Sequence, residues 1–394
     1  MNAETKQFII ENLNADVLQL ALQSGRFPLV DMPLAIRQIA GKQKIKSKVP
    51  LFYNTPDILF PVQLSLEQSS SESTAKYKSC LCEGNILVDL TGGFGVDCCF
   101  ISEHFQQVSY VERQPELCDL ARHNFKLLKK NHIQIIQSDA EKYLSEMVQV
   151  DWIFIDPARR SSAGKKMVFL SDCEPDVAAL STQLLEKANR VMIKLSPMMD
   201  ISAAISDLPT TGEIHIISVE NECKEVLLIL EQNKPENIRV MTINLGKNNE
   251  IQRFEYNFNE ESVAEVICTS DLKNYLYEPN ASIMKSGAFK LVGKRFSFHK
   301  LHVNTHLYTS PKLLLEFPGR IFEVVKLWRN SKQELKELLL KHPKANISTR
   351  NYPLSVDELR KKLRIKDGDE TYLFACTLVN EQKVIIECKK ILTI

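Results

Sequence analysis

The sequence predicts an α/β protein: an open, mainly parallel sheet with helices between its strands, closed by an antiparallel hairpin and followed by a smaller α+β region. Three observations carry this. Between residues 84 and 232, short apolar runs alternate with helical patterns, the order that builds parallel strands through crossover helices. The first run, Ile86-Leu-Val-Asp89, enters the turn Thr91-Gly92-Gly93-Phe94-Gly95, and a helix is expected from about Val96. The last two runs, 213–219 and 225–230, are joined only by Glu220-Asn-Glu-Cys-Lys224, too short for a crossover helix.

Residues 1–48 place apolar side chains at helical spacing (Phe8, Ile9, Leu13; then Val17, Leu18, Leu20, Leu22). Residues 51–64, punctuated by proline, read as a crossing segment, so 1–64 is expected to form an N-terminal helical segment. Ser65 to Lys76 reads as the helix ahead of the first strand, with Ser65 and Gln68, or Ser69 and Glu72, as its capping box. Strands follow at 86–89, 108–112, 133–137 and 152–155. After them come a helix near 175–187, a fifth strand at 191–195, a short helix over 198–207 and the closing hairpin.

The first four strands run out into acids: Asp89, Glu112, Asp139 (in Ser138-Asp139-Ala140) and Asp156. One Asp at a strand end commonly does no more than cap a turn. Four in succession mark the carboxyl edge of an α/β sheet, where ligands bind. A dinucleotide site requires G-x-G-x-x-G, and from Gly93 the third glycine falls on Cys98. S-adenosylmethionine carries a sulfonium, a free ammonium and no phosphate, and Asp89 and Asp97 suit it better. Glu112 lies 23 residues beyond Asp89, about the spacing at which a carboxylate caps a ribose diol.

In this order and spacing, Asp89-Leu-Thr-Gly-Gly-Phe-Gly95, Glu112, Ser138-Asp139-Ala140 and Asp156-Pro157-Ala158-Arg159 resemble the first four motifs of the class I S-adenosylmethionine-dependent methyltransferases. The resemblance covers roughly residues 65–232. It implies a Rossmann-like sheet of seven strands with an antiparallel last hairpin, and S-adenosylmethionine as cofactor. Thr91, Gly92, Gly93 and Gly95 would line the methionine part, with Asp89 and Asp97 at the same turn. Glu112, beside Arg113, would hold the ribose, and Asp139, beside Ala140, would reach the adenine amino group. Glu67 and Gln68 are implied to face the pocket from the preceding helix.

Methyl transfer depends mainly on aligning the acceptor with the sulfonium methyl. Enzymes that methylate exocyclic amines usually carry Asp/Asn-Pro-Pro-aromatic. Here Asp156 and Pro157 keep the first part, and Arg159 stands in the aromatic position, with Arg160 after it. An arginine plane can stack on a base or hold a phosphate. The candidate catalytic set is therefore Asp156, Pro157 and Arg159. Asp-Pro-x-Arg also resembles the uracil-C5 enzymes, but those need a cysteine after the fifth strand, where this chain has Ser196, a poor nucleophile. Methylation of a nitrogen or an oxygen is expected instead. Lys194 reads equally as a phosphate contact or a plain strand-end lysine.

Beyond residue 232 the pattern changes. Residues 239–245 and 252–258 read as strands of an accessory sheet within a 233–277 linker. Arg350-Asn-Tyr-Pro-Leu354 and Tyr372-Leu-Phe-Ala375 resemble the THUMP-like domain found behind some bacterial methyltransferase cores, with a ferredoxin-like piece ahead of it. The boundaries expected are 278–321 and 322–394. THUMP domains bind structured RNA, commonly tRNA, so the resemblance implies RNA, tRNA or rRNA, as partner; the alternative readings are a non-catalytic RNA-binding or assembly factor that keeps a cofactor pocket, and a methyltransferase for a protein or small molecule. Charge agrees: residues 285–366 hold 19 Lys and Arg against 6 Asp and Glu, a net +13 in a chain of net +1. Arg350, Lys361, Lys362 and Arg364 are the candidate RNA contacts. His299, His302 and His306 have a helical spacing that could suit a metal, but their surroundings alternate as a strand does, so no metal is expected. No run of 18 apolar residues, no signal-peptide pattern and no Cys-x-x-Cys pair occur. A reduced, cytoplasmic protein is expected.

Overall fold

The computed structural model describes residues 1–159, 170–247 and 250–392. The chain divides into two compact units, Met1–Glu213 with Val226–Glu236, and Ile214–Glu225 with Asn237–Ile394. Among the described residues no helix is long and apolar enough to cross a membrane.

The first unit opens with helices Ala3–Glu11, Val17–Leu22 and Met32–Lys48. Each begins beneath a side-chain acceptor: Asn2 takes the Thr5 N–H, Asp16 the Leu18 N–H and Asp31 the Leu34 N–H. Their apolar stripes meet in a small core of Phe8, Leu20, Met32, Ala35 and Ile39. The helix expected over 65–76 is two helices, Gln63–Gln68 and Glu72–Ser79. The break has a reason: Ser69 and Ser71 are extended, and Ser70 is turned away to donate to Asp97 at 2.7 Å. Neither expected capping box forms; Ser71 caps the second helix through the Thr74 N–H at 3.2 Å.

Strands β1 (Gly84–Asp89), β2 (Phe105–Glu112), β3 (Ile133–Gln137), β4 (Val150–Ile155), β5 (Ala188–Leu195), β6 (Thr211–Val219) and β7 (Glu222–Glu231) follow in the chain. Their order in the sheet is β3-β2-β1-β4-β5-β7-β6. The β1–β2, β1–β4, β2–β3 and β4–β5 pairs are parallel, and β7 runs antiparallel to β5. Asp89 pairs with Tyr110 on one side and Phe154 on the other, and Glu112 pairs with Gln137, so the strand-end acids gather on one edge. The strands are apolar and buried at Leu87, Val88, Val108, Val111, Ile153, Ile155, Val191 and Ile193, as a sheet covered on both faces requires.

Strands β8 (Arg239–Leu245) and β9 (Ile251–Asn257) correct the reading of a separate accessory sheet. They pair antiparallel with each other, and β8 lies beside β6, whose Ile214–Val219 belongs to the second unit with them. The two C-terminal pieces read from the sequence also share one sheet. Strands β10 (Tyr275–Pro279), β11 (His299–His302), β12 (Thr305–Ser310), β13 (Gly319–Arg329), β14 (Asn346–Arg350), β15 (Thr371–Thr377) and β16 (Lys383–Ile391) take the order β11-β12-β10-β13-β16-β15-β14. Helices Lys332–Lys341 and Val356–Leu363 contribute Leu338, Leu359 and Leu363 to a core with Trp328 and Ile385.

Candidate active site

The carboxyl edge of β1, β2, β3 and β4 opens on a cleft of about 710 Å³, within the usual range for a small-molecule site. Of the sequence-predicted residues, Asp89, Thr91, Gly92, Gly93, Gly95, Asp97, Glu112, Arg113, Asp139, Ala140, Asp156, Pro157 and Gln68 all line it. The turn after β1 explains itself atom by atom. A Cβ on Gly92 would lie 2.2 Å from the Tyr110 ring, and Gly95 caps the helix Val96–Ile101 in the left-handed region, at φ +82°. Tyr110 Oη donates to the Gly93 carbonyl at 2.5 Å, and Thr91 Oγ1 accepts the Asp156 N–H at 2.7 Å, tying the β1 and β4 turns together.

Glu112 is held by two backbone donors, Gly93 N at 2.9 Å and Gln114 N at 2.8 Å, one to each oxygen. Each carboxylate oxygen can accept a second hydrogen bond, so the group is oriented without being saturated. Asp89 is buried and accepts the Thr91 N–H at 3.0 Å. Burial pushes its pKa well above the ordinary carboxylate value, outweighing that bond. Arg113 turns to Glu174, also on the cleft wall, at 2.7 Å.

Three expectations change. Glu67 does not face the cleft; it is exposed and held by Lys44 and by Gln63, the latter at 2.8 Å. Asp97 reaches the cleft but is engaged by Ser70, by Lys78 Nζ at 3.1 Å and by Lys194 Nζ at 3.3 Å. Burial alone would raise its pKa, yet the two ammoniums and the Ser70 hydroxyl bring it below the ordinary value. Lys194 is neither a bare strand end nor an exposed phosphate contact: it is buried and bonded to Asp156, Asp97 and Ser70. Sequence reasoning missed Lys78, which is wholly buried beside Asp97; its helix, Glu-Ser-Thr-Ala-Lys-Tyr-Lys-Ser, is polar along its length and carries no signal that separates Lys78 from the exposed Lys76. The Arg159 side chain and Arg160 lie outside the described residues.

In the second unit, Arg350 corrects the RNA-contact expectation. Its guanidinium donates to the buried Glu278 at 2.6 Å and to the Thr349 carbonyl at 2.8 Å, and Glu278 is also paired with Arg320. Lys361, Lys362 and Arg364 are exposed at the end of the helix Val356–Leu363. Among the described residues no group of His, Cys, Asp and Glu could hold a metal ion.

Among proteins of curated function none matches the chain by sequence. A crystal structure from Porphyromonas gingivalis W83, of a protein provisionally described as a methyltransferase, matches it end to end. Identity is 33% over 98% of this chain and 97% of that one, with a TM-score of 0.89. The chain belongs to this methyltransferase family. The family profile described as a ferredoxin-like domain matches residues 275–318, and the one described as THUMP domain-like matches 319–390. More distant structures resemble it in part. They include M. capricolum TrmK with S-adenosyl-homocysteine (10% identity, TM-score 0.32, 41% of this chain and 68% of that one) and the M. jannaschii tRNA m1G37 methyltransferase (16%, 0.30, 41% and 49%). These two are too distant to assign anything. At the carboxyl edge of the sheet, the gathered acids and the glycine turn combine a ligand-sized cleft with oriented polar groups.

Proposed function

We propose that this methyltransferase binds S-adenosylmethionine in the cleft and transfers its methyl group to a nitrogen or oxygen of an RNA nucleotide. The observation that carries the reading is Glu112, whose two oxygens are fixed by the Gly93 and Gln114 N–H groups at the mouth of a glycine turn. A carboxylate so held, with acceptor capacity to spare, is suited to a vicinal diol. Gly93 and its neighbours leave room for the methionine part against the backbone. Asp139, exposed at the end of β3, is within the same cleft and suits an amino donor such as that of adenine. The bound cofactor would supply an electrophilic methyl on a sulfonium. Asp156 and Pro157, at the end of β4, form the wall where an acceptor would approach.

RNA is favoured over a small metabolite by the THUMP-like match at 319–390 and by the exposed Lys361, Lys362 and Arg364. Methylated nucleosides of tRNA and rRNA from wild-type and gene-deletion cells, compared by mass spectrometry, test the reading. One methylated nucleoside missing from the deletion strain, and restored by the gene, is expected. An unchanged nucleoside profile contradicts it.

A further inference from the structure

Nitrogen and oxygen acceptors make opposite electrostatic demands. A neutral nitrogen that attacks a methyl sulfonium takes over positive charge, so carboxylates and carbonyls serve it and a nearby cation opposes it. A hydroxyl reacts through an oxygen that is losing its proton, so it wants a carboxylate to take that proton and a cation to offset negative charge on the oxygen.

The cleft has the second arrangement. Lys194 Nζ contacts Asp156 Oδ2 and also lies 3.3 Å from Asp97 Oδ2 and 3.1 Å from Ser70 Oγ. Asp97 Oδ1 is in turn 3.1 Å from Lys78 Nζ. Cation and carboxylate therefore alternate along the row Lys78, Asp97, Lys194, Asp156. Exposure rises along it: the side chains are 0% exposed at Lys78, 10% at Asp97, 11% at Lys194 and 36% at Asp156. The row ends at the cleft with a carboxylate and an ammonium side by side.

We infer that the acceptor is a sugar hydroxyl, the 2′-OH that an RNA chain leaves free, with Asp156 as proton acceptor and Lys194 as the cation beside the reacting oxygen. The inference rests on the proposed RNA methyl transfer and names its acceptor. The oxygen bonds to the methyl carbon as the sulfur–carbon bond breaks, and that electron pair stays on sulfur, leaving a neutral thioether. The hydroxyl proton passes to Asp156 and then to water, and Lys194 keeps its proton throughout. Lys78 and Asp97 are positioning residues: Lys78 shares the charge of Asp97, which leaves Lys194 directed at Asp156.

The test incubates wild-type protein with RNA from gene-deletion cells and methyl-labelled S-adenosylmethionine, then hydrolyses the RNA in alkali. A 2′-O-methyl blocks cleavage of the adjoining phosphodiester, so label in an alkali-resistant dinucleotide is expected. Label in the base of a mononucleotide overturns the inference and leaves RNA methylation standing. No label in any RNA overturns both. Lys194→Met should lower kcat by about 10²–10³-fold, the usual loss for one donor at a developing oxyanion. It should leave KM for RNA and the calorimetric Kd for S-adenosylhomocysteine within about threefold of wild type, and Lys194→Arg should recover at least about tenfold of the lost rate. Unchanged kcat in Lys194→Met, or no recovery with arginine, removes Lys194 from the reaction. If that variant does not fold, the position of the label in the wild-type product still decides.

Discussion

Asp89 and Asp97 sit eight residues apart in one cleft, both buried, and pH moves them in opposite directions. Asp97 is held below the ordinary carboxylate value by Lys78, Lys194 and Ser70. It therefore adds stability above that ordinary value, and the contribution is lost as pH falls through the lowered one. Asp89 is raised by burial, so the folded protein favours its protonated form and stability declines as pH climbs from the ordinary value towards the raised one. Asp97→Asn should cost about 3–5 kcal/mol at pH 7, because it leaves two buried ammoniums short of a counter-charge. The deficit should shrink as pH drops into the carboxylate range. Asp89→Asn keeps an oxygen for the Thr91 N–H and should be at least as stable as wild type at pH 7. Urea unfolding at pH 7 and near pH 4 measures both. Asp89 was legible in the sequence because it ends an apolar strand, and Asp97 because it opens the helix behind the glycine turn. Their partners were not: Lys194 lies 97 residues from Asp97 and 124 from Ser70, and only the parallel register of β1, β4 and β5 brings them together.

The helix Val356–Leu363 shows how one element divides between stability and surface. Ser355 and Glu358 form a reciprocal capping box, as the sequence pattern indicates. Leu359 and Leu363 are buried in the core with Trp328, while Lys361 and Lys362 face solvent. Leu359→Ala should destabilise the protein by about 2–5 kcal/mol, and Ser355→Ala by about 1 kcal/mol. Lys361→Ala and Lys362→Ala should stay within about 0.5 kcal/mol of wild type in thermal or denaturant unfolding. Strand β13 is one of the elements the sequence reading missed, with β10 and β12. It runs eleven residues from Gly319 to Arg329, with half-exposed positions along its middle and an irregularity in its register against β16 between Val324 and Lys326. That shift breaks the period-two alternation by which a half-buried strand is recognised. Leu359 and Ser355, by contrast, sit in an unbroken helical period behind a visible cap.

Across the whole chain the uneven charge has two fates. Four carboxylates from outside the segment offset part of the +13 over residues 285–366: Arg320 and Arg350 pair with Glu278, Arg295 with Glu260, Lys341 with Glu387 and Arg360 with Asp367. Lys361, Lys362, Arg364 and Lys366 remain exposed. Replacing Lys361, Lys362 and Arg364 with Ala should weaken RNA binding and flatten the log–log salt dependence by at most about 0.9 for each phosphate that is no longer neutralised. Arg350→Ala should act on stability instead, because it removes a partner from the buried Glu278. An unchanged salt slope in the triple variant would take RNA binding away from this helix. Composition could reveal the excess of cations but not which of them face solvent, since pairing is a property of the fold. Titration calorimetry with S-adenosylhomocysteine and NAD measures whether the cleft holds S-adenosylmethionine with Glu112 on its ribose. Binding of S-adenosylhomocysteine, a loss of about 1–3 kcal/mol in Glu112→Ala and no comparable NAD binding are predicted. S-adenosylhomocysteine binding no tighter than about 1 mM while NAD binds, or a Glu112→Ala variant as tight as wild type, would contradict it.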